Sequence, residues 1–226
     1  MKVQQKKGSY HHGALRRALL DAALQLATER GLGGFTLREV ARQAGVSHAA
    51  PYAHFADKAA LIEALAVEQF TALRDTLQNA RTSTDGSPLE QLRATGVAYV
   101  CFAVEHVAAF RFMYWPELRR PAGTEQSEDL REEAPLRFWK REGKVEEAAN
   151  AAYQVLVDAI EACQQAGLIA PGDPAPLALT AWCTVHGLAA LLLNNPPGEQ
   201  EEAGTQAERM ARVVTWQLSQ GLLARL

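Results

Sequence analysis

The sequence predicts an all-α protein, on three observations. Almost every long segment places its apolar residues three or four positions apart, the period of an amphipathic helix. No stretch alternates over strand length or carries a strand-like run of Val, Ile and Thr. The 226 residues, 48% hydrophobic and 22% charged, suit a globular chain with a sizeable core. We expect about nine to ten helices, forming a small N-terminal domain over residues 1–70 and a larger helical bundle over residues 71–226.

The first helix is predicted to begin near Gly13 and to end at Gly31. Its apolar side chains form one stripe, made by Leu15, Leu19, Ala22, Ala23 and Leu26. Gly31 can adopt the left-handed conformation that commonly ends a helix. The stripe should therefore face the helices that follow.

A short second helix is predicted next. Thr36 and Glu39 have the spacing of a capping box, so this helix should start there and run to Arg42 or Gln43. Gly45 then permits a tight turn.

The turn leads into a third and a fourth helix. Ser47 can N-cap the third, which is predicted to run to about His54, and Asp57 can cap the fourth. The fourth helix should bury Leu61, Leu65 and Phe70. Two short helices at a tight turn, braced on both sides, form a helix-turn-helix.

Five more helices are predicted in the rest of the chain, after a break at TSTDGSP. Their predicted spans are 89–106, 109–115, 145–167, 177–193 and 207–223. The polar, charged run from Pro116 to Pro135 is predicted to be a loop.

Charge is distributed unevenly along the chain, although the net charge is only −3. Residues 1–58 carry nine Lys and Arg against four Asp and Glu, whereas the remainder carries 14 against 22. The basic N-terminal end is therefore the candidate for binding a polyanion.

Several function classes find no support in the sequence. No apolar run approaches the roughly 18 residues that a membrane helix needs, so we expect no membrane association. GxSxG, P-loop, Rossmann and HExxH motifs are absent from any suitable context, so we expect no enzyme, no cofactor and no metal. Cys101, Cys163 and Cys183 are widely spaced and odd in number, which favours a reducing cytoplasm over a disulfide framework.

The segment TLREVARQAGVSHAAPYAHFADKAALIEAL, residues 36–65, resembles the helix-turn-helix domain of the TetR family. The resemblance begins at SYHHGALRRALLDAA and covers roughly the first 70 residues. It implies that the third helix enters the major groove of double-stranded DNA with its N-terminal residues at the base edges. The implied DNA-binding residues are Thr36, Arg38, Ser47, His48, Ala49, Ala50, Tyr52, His54 and Lys58.

The resemblance assigns separate roles to these residues. Those at positions 48–50 would lie nearest the bases, where small side chains allow close approach and contact with a thymine methyl. Those at 36, 38, 52, 54 and 58 would contact phosphates, with the N–H groups at the start of the fourth helix nearby. An N-terminal arm would add further contacts through Lys6, Lys7, Tyr10, His11 and His12.

Two positions depart from the usual family pattern. Pro51 would be the fourth residue of a helix capped by Ser47, and its missing N–H would remove one helical hydrogen bond, so the helix is expected to start later or to bend. Ala53 stands where many relatives carry an aromatic or basic residue, which removes one phosphate contact. The motif SHAAPYAHF nevertheless resembles a known subgroup of the family.

The segments AAFRFMYWPEL and AWCTVHGLAALLL resemble the WHG-type C-terminal domain found in part of the TetR family, with Trp182, His186 and Gly187 as its namesakes. Trp182 and His186 are four residues apart and share a helix face, for which tight packing is the commoner reason. The resemblance and the density of aromatic residues imply a small-molecule effector. The candidate pocket residues are Phe102, His106, Phe110, Met113, Tyr114, Trp139, Trp182 and His186.

By the same resemblance, the last two helices form a homodimer interface with their copies. The candidate interface residues are Leu188, Leu191, Met210, Val214, Leu218 and Leu222. A two-fold dimer places its recognition helices about one helical turn of DNA apart, near 35 Å, or a multiple of it, so the operator should be a near-palindrome. We therefore expect a repressor that a small molecule of unknown identity releases from DNA.

Two alternatives stay open on the sequence. A metal- or redox-responsive regulator of the same fold would use the three cysteines with His106 and His186. A transcriptional activator would differ only in where its operator lies, which the chain does not encode.

Overall fold

The computed structural model describes residues 9–114, 143–195 and 203–222. These residues form eight α-helices and one 3₁₀ helix, with no strand among them, so the all-α prediction is confirmed. The elements are α1 (Ser9–Arg30), α2 (Leu37–Gln43), the 3₁₀ helix (Ala50–Ala53), α3 (Lys58–Ser83), α4 (Pro88–Glu105), α5 (Val107–Met113), α6 (Lys144–Gln165), α7 (Ala175–Asn194) and α8 (Ala203–Leu222). The predicted loop 116–135, Trp139, Lys6 and Lys7 lie outside the described residues.

α1 and α2 form largely as predicted. α1 begins four residues earlier than expected, buries the stripe that includes Leu19 and Leu26, and ends at Gly31 with φ of 76°. The capping box of α2 is present: the Thr36 hydroxyl accepts from the Glu39 N–H at 3.3 Å, and Glu39 Oε2 accepts from the Thr36 N–H at 2.9 Å. The Thr36 hydroxyl also donates to Glu39 Oε2 at 2.9 Å, and the two hydrogen bonds that Thr36 donates to this carboxylate hold the pKa of Glu39 below its ordinary value.

The third helix differs from the prediction. Instead of an α-helix from Ser47 to about His54, the chain makes a turn and then a 3₁₀ helix, and no side chain caps it. Pro51 is the physical reason, because it has no N–H to donate and cannot continue an α-helical ladder back to Ser47. The neighbouring N–H groups make the shorter bonds of a 3₁₀ helix, from Ala50 to the Ser47 carbonyl at 3.0 Å and from Tyr52 to the Ala49 carbonyl at 3.2 Å.

α3 starts at its predicted cap and continues beyond the DNA-binding end. The Asp57 carboxylate accepts from the Ala60 N–H at 2.8 Å, and Leu61, Leu65 and Phe70 are buried as predicted. The predicted boundary after residue 70 falls inside this helix, so the two parts of the protein share one continuous element. The division into domains 1–70 and 71–226 stays a prediction.

α4 packs against α3, α5, α6, α7 and α8 and so organises the C-terminal body. It crosses α8 closely at Gly96, where an ideal Cβ atom would lie 2.7 Å from Cγ2 of Thr215. α4 starts with a capping box formed by Ser87 and Glu90, which was not predicted although the pattern of serine followed three residues later by glutamate is present.

Among the described helices, α7 alone has the length and apolar character of a membrane-spanning segment, with a mean hydropathy of 1.6. The helices α4 and α5 qualify only as a pair, and they are bent by 106°. A single such helix is a weak indication, because the core helices of soluble proteins meet the same criteria. α7 packs against α4, α6 and α8, and 33% of its apolar window is buried.

Candidate DNA-binding surface and effector cavity

The turn before the 3₁₀ helix exposes the residues predicted to lie at the base edges. Ser47, His48 and Ala49 are exposed, Ala50 is half-buried, and Tyr52 keeps 54% of its surface accessible. Pro51 lies among these residues yet is fully buried. The segment therefore presents small and polar groups outward while its proline anchors it to the core.

The residues predicted to contact phosphate have different surroundings. Arg38 is exposed, whereas the Thr36 hydroxyl is engaged with Glu39 and His54 is half-buried beside the ring of Phe55. Arg42 was not among the predicted DNA-binding residues; it is an exposed cation at the end of α2, and its guanidinium lies 3.8 Å from Glu39. Its place one turn after Arg38 on the same helix was the available signal.

Lys58 has a structural role in this state. Its Nζ donates to the Phe35 carbonyl at 2.6 Å and lies 4.3 Å from the centre of the Phe35 ring. Partial burial lowers the pKa of the Lys58 ammonium. Lys58 therefore braces the loop before α2, and its contact with phosphate stays a prediction.

A polar cluster lies inside the C-terminal body. The Tyr99 hydroxyl is 2.7 Å from the Tyr114 hydroxyl and 2.9 Å from Nδ1 of His186, and the Trp182 indole hydrogen-bonds within the same cluster. The ring of Trp182 stacks on that of His186 with centroids 4.9 Å apart. Burial raises the pKa of Tyr99 well above its ordinary value and that of Tyr114 to about 12, so both remain protonated at neutral pH.

The cluster borders a partly open cavity of about 80 Å³. Its walls come from α3, α4, α6, α7 and α8 together with Tyr114 at the end of α5. Most wall residues are apolar, and the polar ones are Arg93, Thr95, Tyr99, Tyr114, Asn150, Tyr153, Trp182, Thr215 and Ser219. An apolar cavity with a few polar groups is the usual form of a small-molecule site.

A second, more open groove of about 410 Å³ lies between α1, α5 and α7. Among the candidate pocket residues, Tyr114 lines both spaces, Trp182 lines the cavity, and Phe110 and His186 line the groove. Phe102, His106 and Met113 line neither: the first two stack on each other with centroids 4.6 Å apart, and Met113 is fully buried.

Three polar residues of the cavity were not predicted: Arg93, Tyr99 and Tyr153. Each lies on a helix whose other residues have core character, and the only available signal was a polar group in an apolar stretch. The density of aromatic residues, used alone to choose pocket residues, selected side chains that pack in the protein core.

The predicted dimer residues fall on two different surfaces. Leu188 is buried within the protomer, Val214 and Leu222 pack against its core, and Leu218 lines the cavity. The exposed apolar residues of α7 and α8 are Leu191 (63% exposed), Met210, Val213 (58%) and Trp216 (48%). Val213 and Trp216 were not predicted. The dimer interface itself stays a prediction.

The metal- or redox-sensing alternative gains no support from the described residues. They contain no group of three His, Cys, Asp or Glu residues placed to hold a metal ion. Cys163 is buried, Cys101 is half-buried and Cys183 is exposed. Burial raises the pKa of the Cys163 thiol to about 11, which makes it a weak nucleophile.

A helix-turn-helix with an exposed turn, joined to an all-helical body, defines a DNA-binding transcriptional regulator and not an enzyme. The family described as "Bacterial regulatory proteins, tetR family" matches residues 19–65, and "Tetracyclin repressor-like, C-terminal domain" matches residues 92–214, more than half of the chain. The chain belongs to the TetR family. The narrower WHG assignment stays a prediction.

Two curated relatives match parts of the chain. An uncharacterized HTH-type transcriptional regulator from Haemophilus influenzae is 33% identical over 113 residues, 50% of this chain and 53% of that protein. The class D tetracycline repressor protein from Escherichia coli is 43% identical over 53 residues, 24% of each chain. The chain thus spans about half the length of the first relative and about a quarter of the second.

Solved structures match over nearly the whole chain. A protein of unknown function from Rhodococcus sp. RHA1 is 32% identical with a TM-score of 0.72, covering 96% of this chain and 100% of that one. The transcriptional regulator FadR from Bacillus subtilis, in complex with stearoyl-CoA, is 18% identical with a TM-score of 0.67, covering 91% of this chain and 98% of that one. The second likeness concerns the fold alone.

Proposed function

We propose that this transcriptional regulator is a homodimeric repressor, which binds a near-palindromic operator and is released from it by a small molecule. The observation that carries the proposal is the exposed strip at residues 47–49 and Tyr52, anchored by the buried Pro51. A rigid strip of small and polar groups can approach base edges closely, while the exposed Arg38 and Arg42 supply positive charge for the backbone. Such a repressor would act in the cytoplasm, where its operator lies.

The exposed apolar face of α7 and α8 supports a second copy as its partner. Cys183, Gly187 and Leu191 follow one another at four-residue intervals on α7, and all three are exposed. Apart from its two chain neighbours and the nearby backbone of α7, no described atom lies within 4 Å of a Cβ built on Gly187, so a helix from a partner could approach there. Val213 and Trp216 extend the apolar surface on α8.

A physical route leads from the cavity to the DNA-binding end. Tyr114 follows α5 directly and lines the cavity, while α5 packs against α1 and α3. A molecule that displaces Tyr114 would therefore shift α5 against α1. Such a molecule releases the protein from DNA only to the extent that it binds the shifted conformation more tightly than the DNA-binding conformation.

The test is fluorescence anisotropy with a duplex recovered from a random DNA pool, repeated over a series of salt concentrations. Arg38→Ala should weaken binding and lower the slope of log affinity against log salt by about 0.9, because one phosphate contact is lost. Arg74→Ala removes the same charge from α3, outside the DNA-binding segment; it is the matched control and should bind as the parent does. An unchanged affinity and slope for Arg38→Ala would contradict its assigned role.

A further inference from the structure

We propose that the cavity of the C-terminal body binds a compact carboxylic acid, with Arg93 holding the carboxylate and Tyr153 donating a hydrogen bond to it. The inference rests on the proposed effector function and names the chemical class of the effector. Its two polar residues come from different helices, α4 and α6, and line the same cavity.

Arg93 makes no salt bridge among the described residues, although its charge contributes to lowering the pKa of Glu90 one turn earlier. Its Nε donates to Ser219 Oγ at 2.8 Å, which fixes the side chain and leaves its four remaining N–H donors for another group. Glu90, one turn earlier, instead accepts from the N–H and the hydroxyl of Ser87 at 2.8 and 3.0 Å. A guanidinium held in a largely apolar cavity is suited to bidentate binding of a carboxylate.

Tyr153 provides an independent observation. Its hydroxyl oxygen is buried and has no hydrogen-bond partner among the described residues. Buried hydroxyls in proteins are normally hydrogen-bonded, because an unsatisfied one costs free energy. Tyr153 lines the cavity, so a ligand oxygen that its hydroxyl reaches after a small rotation of the side chain would satisfy it. Burial raises the pKa of Tyr153, so the hydroxyl stays protonated and able to donate.

The volume and the lining residues of the cavity indicate the size and the apolar character of the ligand beyond its carboxylate. A volume of about 80 Å³ holds several water molecules, so it suits a short chain or a small ring rather than a long acyl chain. Phe70, Leu73, Leu92, Leu156 and Val185 supply apolar walls for that part. The ligand class is therefore a monocarboxylic acid with a small apolar body.

The experiment is isothermal titration calorimetry of the full chain with butyrate, hexanoate and benzoate, each compared with its neutral amide. At least one acid should bind, and its amide should bind at least about tenfold more weakly, because only the carboxylate pairs its negative charge with Arg93 and accepts through two oxygens. Binding of no acid, or equal binding of acid and amide, would overturn the proposal.

Two variants and a control locate the site. Arg93→Gln should abolish the preference for acid over amide, and Tyr153→Phe should weaken acid binding, with thermal unfolding showing that both variants are folded. Arg74→Gln makes the same charge change at a position outside the cavity and should retain the preference. An acid preference that survives Arg93→Gln would overturn the assignment.

The operator measurement separates this inference from the proposed function. Acid binding that leaves operator affinity unchanged would keep the acid site and reject release by that acid. A protein that binds the acids but no operator would reject the repressor proposal while the acid site still stands.

Discussion

Two tyrosines around the cavity should respond differently when their hydroxyl groups are removed. Tyr99→Phe removes a hydroxyl that contacts both Tyr114 and His186, so it should lower the free energy of unfolding by about 1–3 kcal/mol. Tyr153→Phe removes a hydroxyl without a partner and should leave that free energy unchanged or raise it. Denaturant unfolding without ligand measures both variants. A larger loss for Tyr153→Phe would contradict the hydrogen bonds assigned here.

The same tyrosines predict how stability changes at high pH. The pKa of Tyr114 is about 12 in the folded protein, whereas the ordinary value is 10. The folded state thus favours the neutral phenol. Its contribution to the free energy of unfolding is fully present below pH 10 and is lost as the pH rises from 10 to about 12. Thermal unfolding of the parent should therefore show a steeper fall in midpoint above pH 10 than Tyr114→Phe shows. Equal slopes would mean that Tyr114 ionises normally.

The contacts that individual site residues make were the hardest feature of the site to predict from the sequence. Exposure of Tyr52 and burial of Phe55 follow from the helix-turn-helix pattern, and both are present. The contact of Lys58 with the Phe35 carbonyl spans 23 positions and depends on how the loop folds back, which spacing does not encode. The local sequence does not distinguish Arg93 from a surface arginine, because its contact with Ser219 of α8 depends on how the helices pack.

At the scale of elements, the contact between α4 and α8 makes a sharp prediction. Gly96→Ala would place a methyl group 2.7 Å from Cγ2 of Thr215, so the helices must shift, at a cost of about 1–3 kcal/mol of stability. Adding Thr215→Ser removes that Cγ2 and should recover part of the loss, which a double-mutant cycle by denaturant unfolding measures. Additive effects of the two substitutions would contradict the close approach.

Helix positions were predictable because caps and apolar spacing are local properties, as Thr36 and Asp57 illustrate. The 3₁₀ form of the third helix was only partly foreseen. Pro51 indicated a disturbance, but its complete burial and the loss of the Ser47 cap depend on tertiary packing.

The stripes of the last two helices show a further limit of sequence patterns. Periodicity identified Val214, Leu218 and Leu222 as one apolar face, yet that face packs inside the protomer. The exposed face carries Val213 and Trp216 instead. A period reveals that a face is covered, but not whether its own chain or a partner covers it.

At the scale of the whole molecule, the proposed dimer depends on the exposed face of α7 and α8. Leu191→Glu combined with Trp216→Glu would place two charges on it, so the variant should sediment as a monomer at micromolar concentration and lose operator affinity. Gln165→Glu adds a charge at an exposed position of α6, and this variant should sediment with the same molecular mass as the parent. A parent that already sediments as a monomer would contradict the interface.

The central claim is that two copies of the exposed turn read DNA together, and selection of duplexes from a random pool tests it most directly. The parent protein should enrich a near-palindrome whose half-sites lie about one helical turn, or a multiple of it, apart. Tyr52→Ala should enrich the same site less strongly. A pool without sequence preference, or a single half-site without symmetry, would contradict the account of this protein as a dimeric reader of DNA.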